Sequence, residues 1–285
     1  MNNVGIICDL ENNKHPLLKS YYHSVVNLYG AEPIIVTCSA DLEGIDLLFV
    51  GDDHYIPHKT ILHAPDFIDR CNSDNIKVVV FTNERIFDAY FPWNVDNYKA
   101  ITKIKNLYHY AIDVDDCKKL GIRLCRSAPS KYFAPKLASL EKDKTDSTIF
   151  IGKTNQQCKS YNERGEVLRD AGILIFIHPP TVSTWAKYMR MYSGHRFVFS
   201  PIGNGNFFTM RFYEALAVGS IPIHQVRHDT LEYYDIEAKF DDCIFFEDPR
   251  EVPEKVKNCT FKKSHNVLWM EDWMKVLLTD DNLLQ

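Results

Sequence analysis

Short apolar runs recur along this chain, each too brief for a helix and each followed by a stretch with helical spacing. VGIICDL at 4–10, PIIVT at 33–37, DLLFV at 46–50, IKVVVFT at 76–82 and a run at 108–112 are the first set. Helical spacing fills 15–29, closing on Gly30, then 64–73, then 115–120, closing on Gly121. Continuously apolar strands alternating with helices admit few solutions. The strands must be covered on both faces, so the sheet is parallel and the helices lie on either side of it. The rhythm breaks at 127–147, SAPSKYFAPKLASLEKDKTDS, which holds two prolines and a charged cluster. It then restarts with strands at 148–151, 173–177, 197–200, 221–223 and 243–246. Helices are expected at 162–170, 182–192, from 208 or 209 to Gly219, and at 250–258. The fold class is therefore α/β, with two doubly wound, Rossmann-like domains facing across a cleft. The expected boundaries are 1–130 for the first domain, 131–147 for a linker and 148–262 for the second domain. A terminal helix, 263–285, with Trp269 and Trp273 four residues apart, is expected to pack back across the domains.

Bulk properties narrow the function classes. A chain of 285 residues with 25% charged and 45% hydrophobic residues can bury two modest cores. A net charge of −5 supplies no basic field for nucleic acid. No run approaches the roughly 20 apolar residues of a membrane span. Met1-Asn2-Asn3 leads directly into the first strand, so no secretory leader is expected and the expected location is cytoplasmic. The 8 cysteines are scattered without a CxxC pair and read as small buried hydrophobes in a reducing compartment.

The segment FVFSPIGNGNFFTMRFYEALAVGSIPIH, 197–224, carries the chemistry. A buried strand ends at Pro201 and opens into a loop with Gly203, Asn204, Gly205, Asn206 and Phe207. Glycines at this place let backbone approach a ligand closely. The helix that follows, from Thr209, presents unpaired N–H groups and a positive dipole end, a natural phosphate site. Arg211 in its first turn can fork onto phosphate oxygens. Glu214, three residues on, shares the same face and can accept two hydrogen bonds from a ribose diol.

This succession resembles the donor-binding segment of exostosin-like glycosyltransferases of the GT-B fold, with their P-x-G loop and R-x-x-E-A-L-x-x-G-x-I-P helix-to-strand pattern. Among these it is similar to chlorovirus-encoded xylosyltransferases. It also resembles the fucosyltransferase pattern in which Thr209, Arg211 and Glu214 fall on a Thr, a Lys and an Asp. The resemblance implies a nucleotide sugar, UDP-xylose, held by the second domain, with GDP-fucose as the rival donor. It implies a glycan acceptor on the first domain and no cofactor or metal. Retaining relatives carry a Glu where this chain has Asn206, so the resemblance implies inversion by single displacement. If the chain is viral, its location is the host cytoplasm. A non-catalytic nucleotide-sugar-binding module is the alternative reading.

Transfer to a hydroxyl needs a base and a means of stabilising the departing diphosphate. Lys153 after the first strand of the second domain and Arg164 on the following helix join Arg211 as candidate cations. His178, before Pro179-Pro180, is a candidate contact to the base or ribose. For the catalytic base, Asp9, Glu11, Asp52, Asp53 and Glu84 sit at strand ends of the first domain. Glu84 ranks first, because VVVFTNERIFDAYF resembles a fucosyltransferase stretch with a proposed catalytic Glu, and Asp53 ranks second. Asp113-Val114-Asp115 forms a DxD, a manganese motif in another glycosyltransferase fold, and also begins a helix, where Asp is a favoured cap. Trp93 is a candidate sugar-stacking residue.

Overall fold

The computed structural model describes residues 3–8, 16–52, 64–83, 85–87, 93–140, 143–152, 154, 159–173, 175–177, 184–203, 205–227, 229–260 and 267–284. The chain divides into two compact units. Unit 1 comprises Met1–Arg126 and Met270–Gln285, and unit 2 comprises Ser127–Trp269.

Unit 1 runs β1 (Val4–Ile7), α1 (Pro16–Tyr29), β2 (Ile34–Ile35), β3 (Leu47–Asp52), α2 (Pro65–Ser73), β4 (Lys77–Thr82), α3 (Trp93–Ile101), β5 (Leu107–Ala111), α4 (Val114–Leu120) and β6 (Arg123–Leu124). Its sheet has the order β2-β1-β3-β4-β5-β6 with every pair parallel. The strands are apolar on both faces because both are covered: Leu48, Val50, Val78 and Val80 pack with Phe67, Ile101 and Ile104 on one, and Phe49 and Phe81 meet Tyr29, Tyr21 and Trp273 on the other.

Unit 2 runs α5 (Ala134–Ala138), β7 (Thr145–Ile151), α6 (Lys159–Asp170), β8 (Ile175–Ile177), α7 (Trp185–Ser193), β9 (His195–Ser200), α8 (Met210–Ala217), β10 (Ile221–Gln225), α9 (Thr230–Tyr233), α10 (Asp235–Ala238), β11 (Ile244–Phe246) and α11 (Val252–Asn258). Its sheet order is β11-β10-β9-β7-β8, again all parallel. One core joins Ile149, Ile151 and Val198 to Met189, Tyr192 and Ala215 of α7 and α8. A second joins Phe150, Phe197, Phe199 and Phe246 to Leu168 of α6 and Val252 of α11. Both sheets reverse their winding direction once, between β1 and β3 and between β7 and β9. Ligands of such sheets bind outside the carboxyl ends of the strands, next to that reversal.

Two segments differ from expectation. The span expected as a linker contains α5, and Phe133 and Leu137 from it are buried in the core of unit 2. Their surroundings in sequence are polar, which masks them. The helix α3 follows Pro92 and mixes Asn, Asp and Tyr with its apolar residues, so its periodicity is weak. The terminal helix, α12 (Met270–Asp280), starts after Trp269 and belongs to unit 1, where buried Trp273 meets Phe81 edge-on at 5.4 Å. Trp269 packs instead on the core of unit 2. Asn27 Nδ2 donates to Glu271 Oε1 at 2.9 Å and Arg123 pairs with Asp280 at 2.8 Å, fixing α12 in place.

Candidate functional site

The loop after β9 is held by hydrogen bonds to neighbouring strands and turns. Its first anchor is the backbone N–H of Ile202, which donates to Oε1 of Gln225, the last residue of β10, at 3.2 Å. A second anchor is Asn206, whose Nδ2 donates to Asp229 at 3.3 Å and whose Oδ1 accepts from the Thr230 hydroxyl. Asn206 is 1% exposed, so its amide serves the turn before α9. Pro201 and Gly205 are buried, and Gly203 and Phe207 are half-buried. Asn204 lies outside the described residues.

Thr209 is the N-cap residue of α8, yet its side chain makes no cap hydrogen bond. Its Oγ1 lies 2.8 Å from Ser200 Oγ, which in turn lies 3.0 Å from Nδ1 of His224. The parallel register that pairs Ser200 with His224 brings these groups together. A hydroxyl turned to the strand leaves the mouth of α8 to other acceptors. His224 is 0% exposed, stacks on Phe208 at 4.5 Å, and has no partner for Nε2. Burial drives its pKa down to about 3, with the Arg211 charge acting in the same direction, so it is neutral.

Arg211 and Glu214 share one face of α8, and that face meets α7. The Arg211 guanidinium carbon lies 5.1 Å above the Phe150 ring, and its positive charge pulls the Tyr192 phenol down against the raising effect of burial. Its buried Nε has no partner. Glu214 is 7% exposed and accepts a 2.5 Å bond from Trp185 Nε1. Burial raises its pKa, while the Trp185 bond and the Arg211 charge pull the other way. Trp185, Tyr188 and Tyr192 recur at helical spacing on α7, and the charges of Arg211 and Glu214 act on both tyrosines. The first-turn helix spacing in TWAKYMRMY shows that these aromatics share a face. It does not show that the face receives Arg211 and Glu214.

Arg164 of α6 is 7% exposed, and a side chain added at Gly203 would meet its Nη2 at 3.3 Å. Gly203 is thus the residue that lets this guanidinium lie against the loop backbone. The two border a cavity of about 360 Å³, also lined by Ile202, Gln225, Arg227 and Glu247. Ile202, Gln225, Arg227 and Glu247 stand at the carboxyl ends of β9, β10 and β11, and β9 borders the winding reversal beside which such sheets bind ligands. Gln225, Arg227 and Glu247 carry no motif in the sequence and become visible only through strand adjacency.

Lys153, His178, Asp53 and Glu84 lie outside the described residues, as does the side chain of Trp93. The residues flanking Glu84 are pinned. Asn83 accepts from the Tyr21 hydroxyl at 2.7 Å, and the Ile86 N–H donates to Asp116 at 2.5 Å. Asp116 is 1% exposed, and burial lifts its pKa to about 6. In the DxD, Asp113 is the N-cap of α4 and accepts from Asp116 N at 2.9 Å. Its carboxylate is committed to the helix, in accord with the capping reading of that motif. Among the described residues no three His, Cys, Asp or Glu side chains cluster as metal ligands. No helix among them is long and apolar enough to cross a membrane.

No protein-family profile matches this chain. No curated protein matches it. Among solved structures, a provisionally named UDP-N-acetylglucosamine 2-epimerase from Listeria monocytogenes is 9% identical at a TM-score of 0.45, covering 98% of this chain and 96% of that one. A provisionally named two-component response regulator/GGDEF domain protein is 11% identical at a TM-score of 0.24, covering 100% of both chains. Likenesses this loose carry no information on activity. The doubly wound character of each unit rests on its own strand pairing.

Proposed function

We propose that unit 2 holds the diphosphate of a nucleotide sugar and that the chain is a glycosyltransferase. The observation that carries this reading is the nearly buried Arg164 guanidinium lying against Gly203, at a cavity outside the carboxyl ends of three adjacent parallel strands. A guanidinium there can fork onto phosphate oxygens. The uncapped N-terminus of α8 adds backbone donors and a positive dipole end. Arg211 adds a second cation in the first turn of that helix. Together these groups would stabilise negative charge as the sugar–phosphate bond breaks.

The finer reading rests on the resemblance of the R-x-x-E segment. The donor is UDP-xylose, with GDP-fucose tested beside it, and the acceptor is a glycan hydroxyl. A carboxylate takes the proton of that hydroxyl, its oxygen attacks the anomeric carbon, and the nucleoside diphosphate leaves from the opposite face. Glu84 is the first candidate for this base and Asp53 the second.

A thermal-shift screen of nucleotide sugars, followed by a transfer assay reading released nucleoside diphosphate, tests the proposal. A ligand that binds only the native state raises its melting temperature. UDP-xylose should do so for the parent chain. Arg164→Ala and Arg211→Ala should each weaken donor binding at least about tenfold and abolish detectable transfer. Folded variants that bind and transfer like the parent would overturn the reading. Donor binding without any transfer would favour the non-catalytic module.

A further inference from the structure

Gln225 closes the strand β10 and lines the cavity beside Arg164. Its amide is oriented by chemistry. The Ile202 N–H can only donate, so the atom 3.2 Å away must be the carbonyl oxygen, Oε1. The other end of the same amide is therefore the NH2 group. The side chain is half-buried and Gln225 lines the cavity, so with Oε1 bound to Ile202 the NH2 is the end of the amide it can offer to a ligand there. The partner side of the bond is backbone, held by the loop anchors at Asn206 and Thr230, so the amide cannot reverse without breaking the Ile202 bond.

A donor fixed in this way selects an acceptor. We propose that Gln225 reads the base of the donor nucleotide and selects one with a carbonyl at the pyrimidine 4- or purine 6-position, uracil or guanine, over the counterpart with an amino group there, cytosine or adenine. The inference rests on the nucleotide-sugar reading above and specifies the nucleotide that the cavity takes. Uracil and cytosine differ in the ring mainly by an oxygen against an amino group at one position, and guanine and adenine differ at the corresponding edge. Shape alone therefore separates neither pair. An NH2 facing the carbonyl makes a hydrogen bond, whereas an NH2 facing an amino group leaves two donors opposed. A site built to bond one group rejects the analogue lacking it, because its own polar atom is left unpaired. The cavity, at about 360 Å³, falls within the range of small-ligand sites.

The test is a calorimetric titration of the full chain with UDP, CDP, GDP and ADP, repeated on Gln225→Glu and Gln225→Met. Gln225→Glu keeps an oxygen for Ile202 and replaces the NH2 by an acceptor. Gln225→Met keeps the length and removes both functions. Added negative charge weakens all four nucleotides together, so the ratio within each pair is the readout, and melting temperatures confirm that the variants are folded. The parent should prefer UDP over CDP, or GDP over ADP, by about tenfold, the worth of one neutral hydrogen bond. The ratio should fall to near one in Gln225→Met and reverse in Gln225→Glu. Nucleotide binding with a ratio unmoved by both substitutions overturns the role of Gln225 and leaves the donor reading standing. No binding of any of the four by the folded parent overturns both.

Discussion

Glu214 shows how much a single side chain depends on its surroundings. Buried against α7, it is stabilised as a carboxylate by one indole N–H and one guanidinium. Trp185→Phe removes that donor and keeps the ring. The expected cost is about 1–3 kcal/mol, the penalty of a buried acceptor losing its partner, measured by urea unfolding. His224 makes a different prediction. Its folded pKa of about 3 lies below the ordinary value of 6.5. Between those values the unfolded chain binds a proton that the folded chain refuses, so stability falls as pH drops from 6.5 towards 3. The slope for one such group is about 1.4 kcal/mol per pH unit. His109, lowered by burial to about 4, adds in the same direction. Asp116, raised to about 6, works oppositely and gains stability as pH falls through its folded value. Unfolding free energies between pH 7 and 5 should thus decline, and His224→Phe should decline less steeply than the parent.

At the scale of elements, the strands were legible because burial on both faces demands uninterrupted apolar residues, as in VVVF of β4. Helix ends were legible where glycine takes a left-handed backbone, as at Gly121 and Gly219 with φ of 66° and 68°. Sheet order was not, because parallel neighbours are chosen by packing at long range. The same limit governs the site. R-x-x-E could be read as one helical face, but the partner of Glu214 stands 29 residues earlier on α7. Gln225 and Ile202 meet only because β10 pairs with β9. The α5 segment is hard to read in sequence because two core residues, Phe133 and Leu137, sit among lysines and prolines. The docking of α12 gives a test at this scale. Trp273 is 2% exposed and packs on Phe81. Trp273→Ala should cost about 3–5 kcal/mol by large-to-small truncation, measured by chemical denaturation.

For the whole molecule, the two units differ in how the chain builds them. Unit 2 is a single continuous stretch, Ser127–Trp269, with its own sheet and two cores. Expressed alone, 127–269 should unfold cooperatively and, on the proposed function, show the same thermal shift with nucleotides as the full chain. Unit 1 is assembled from both ends of the sequence. Expressed as 1–126, it should lack the Trp273 contact and the Glu271 and Asp280 bonds, and hydrogen exchange in β4 and α1 should be correspondingly fast. That discontinuity has a consequence during synthesis. The ribosome releases the piece that completes the first-made sheet only after the second has emerged. The order of maturation is therefore the reverse of the order of translation: the later half can close on itself while the earlier half still waits for its last helix.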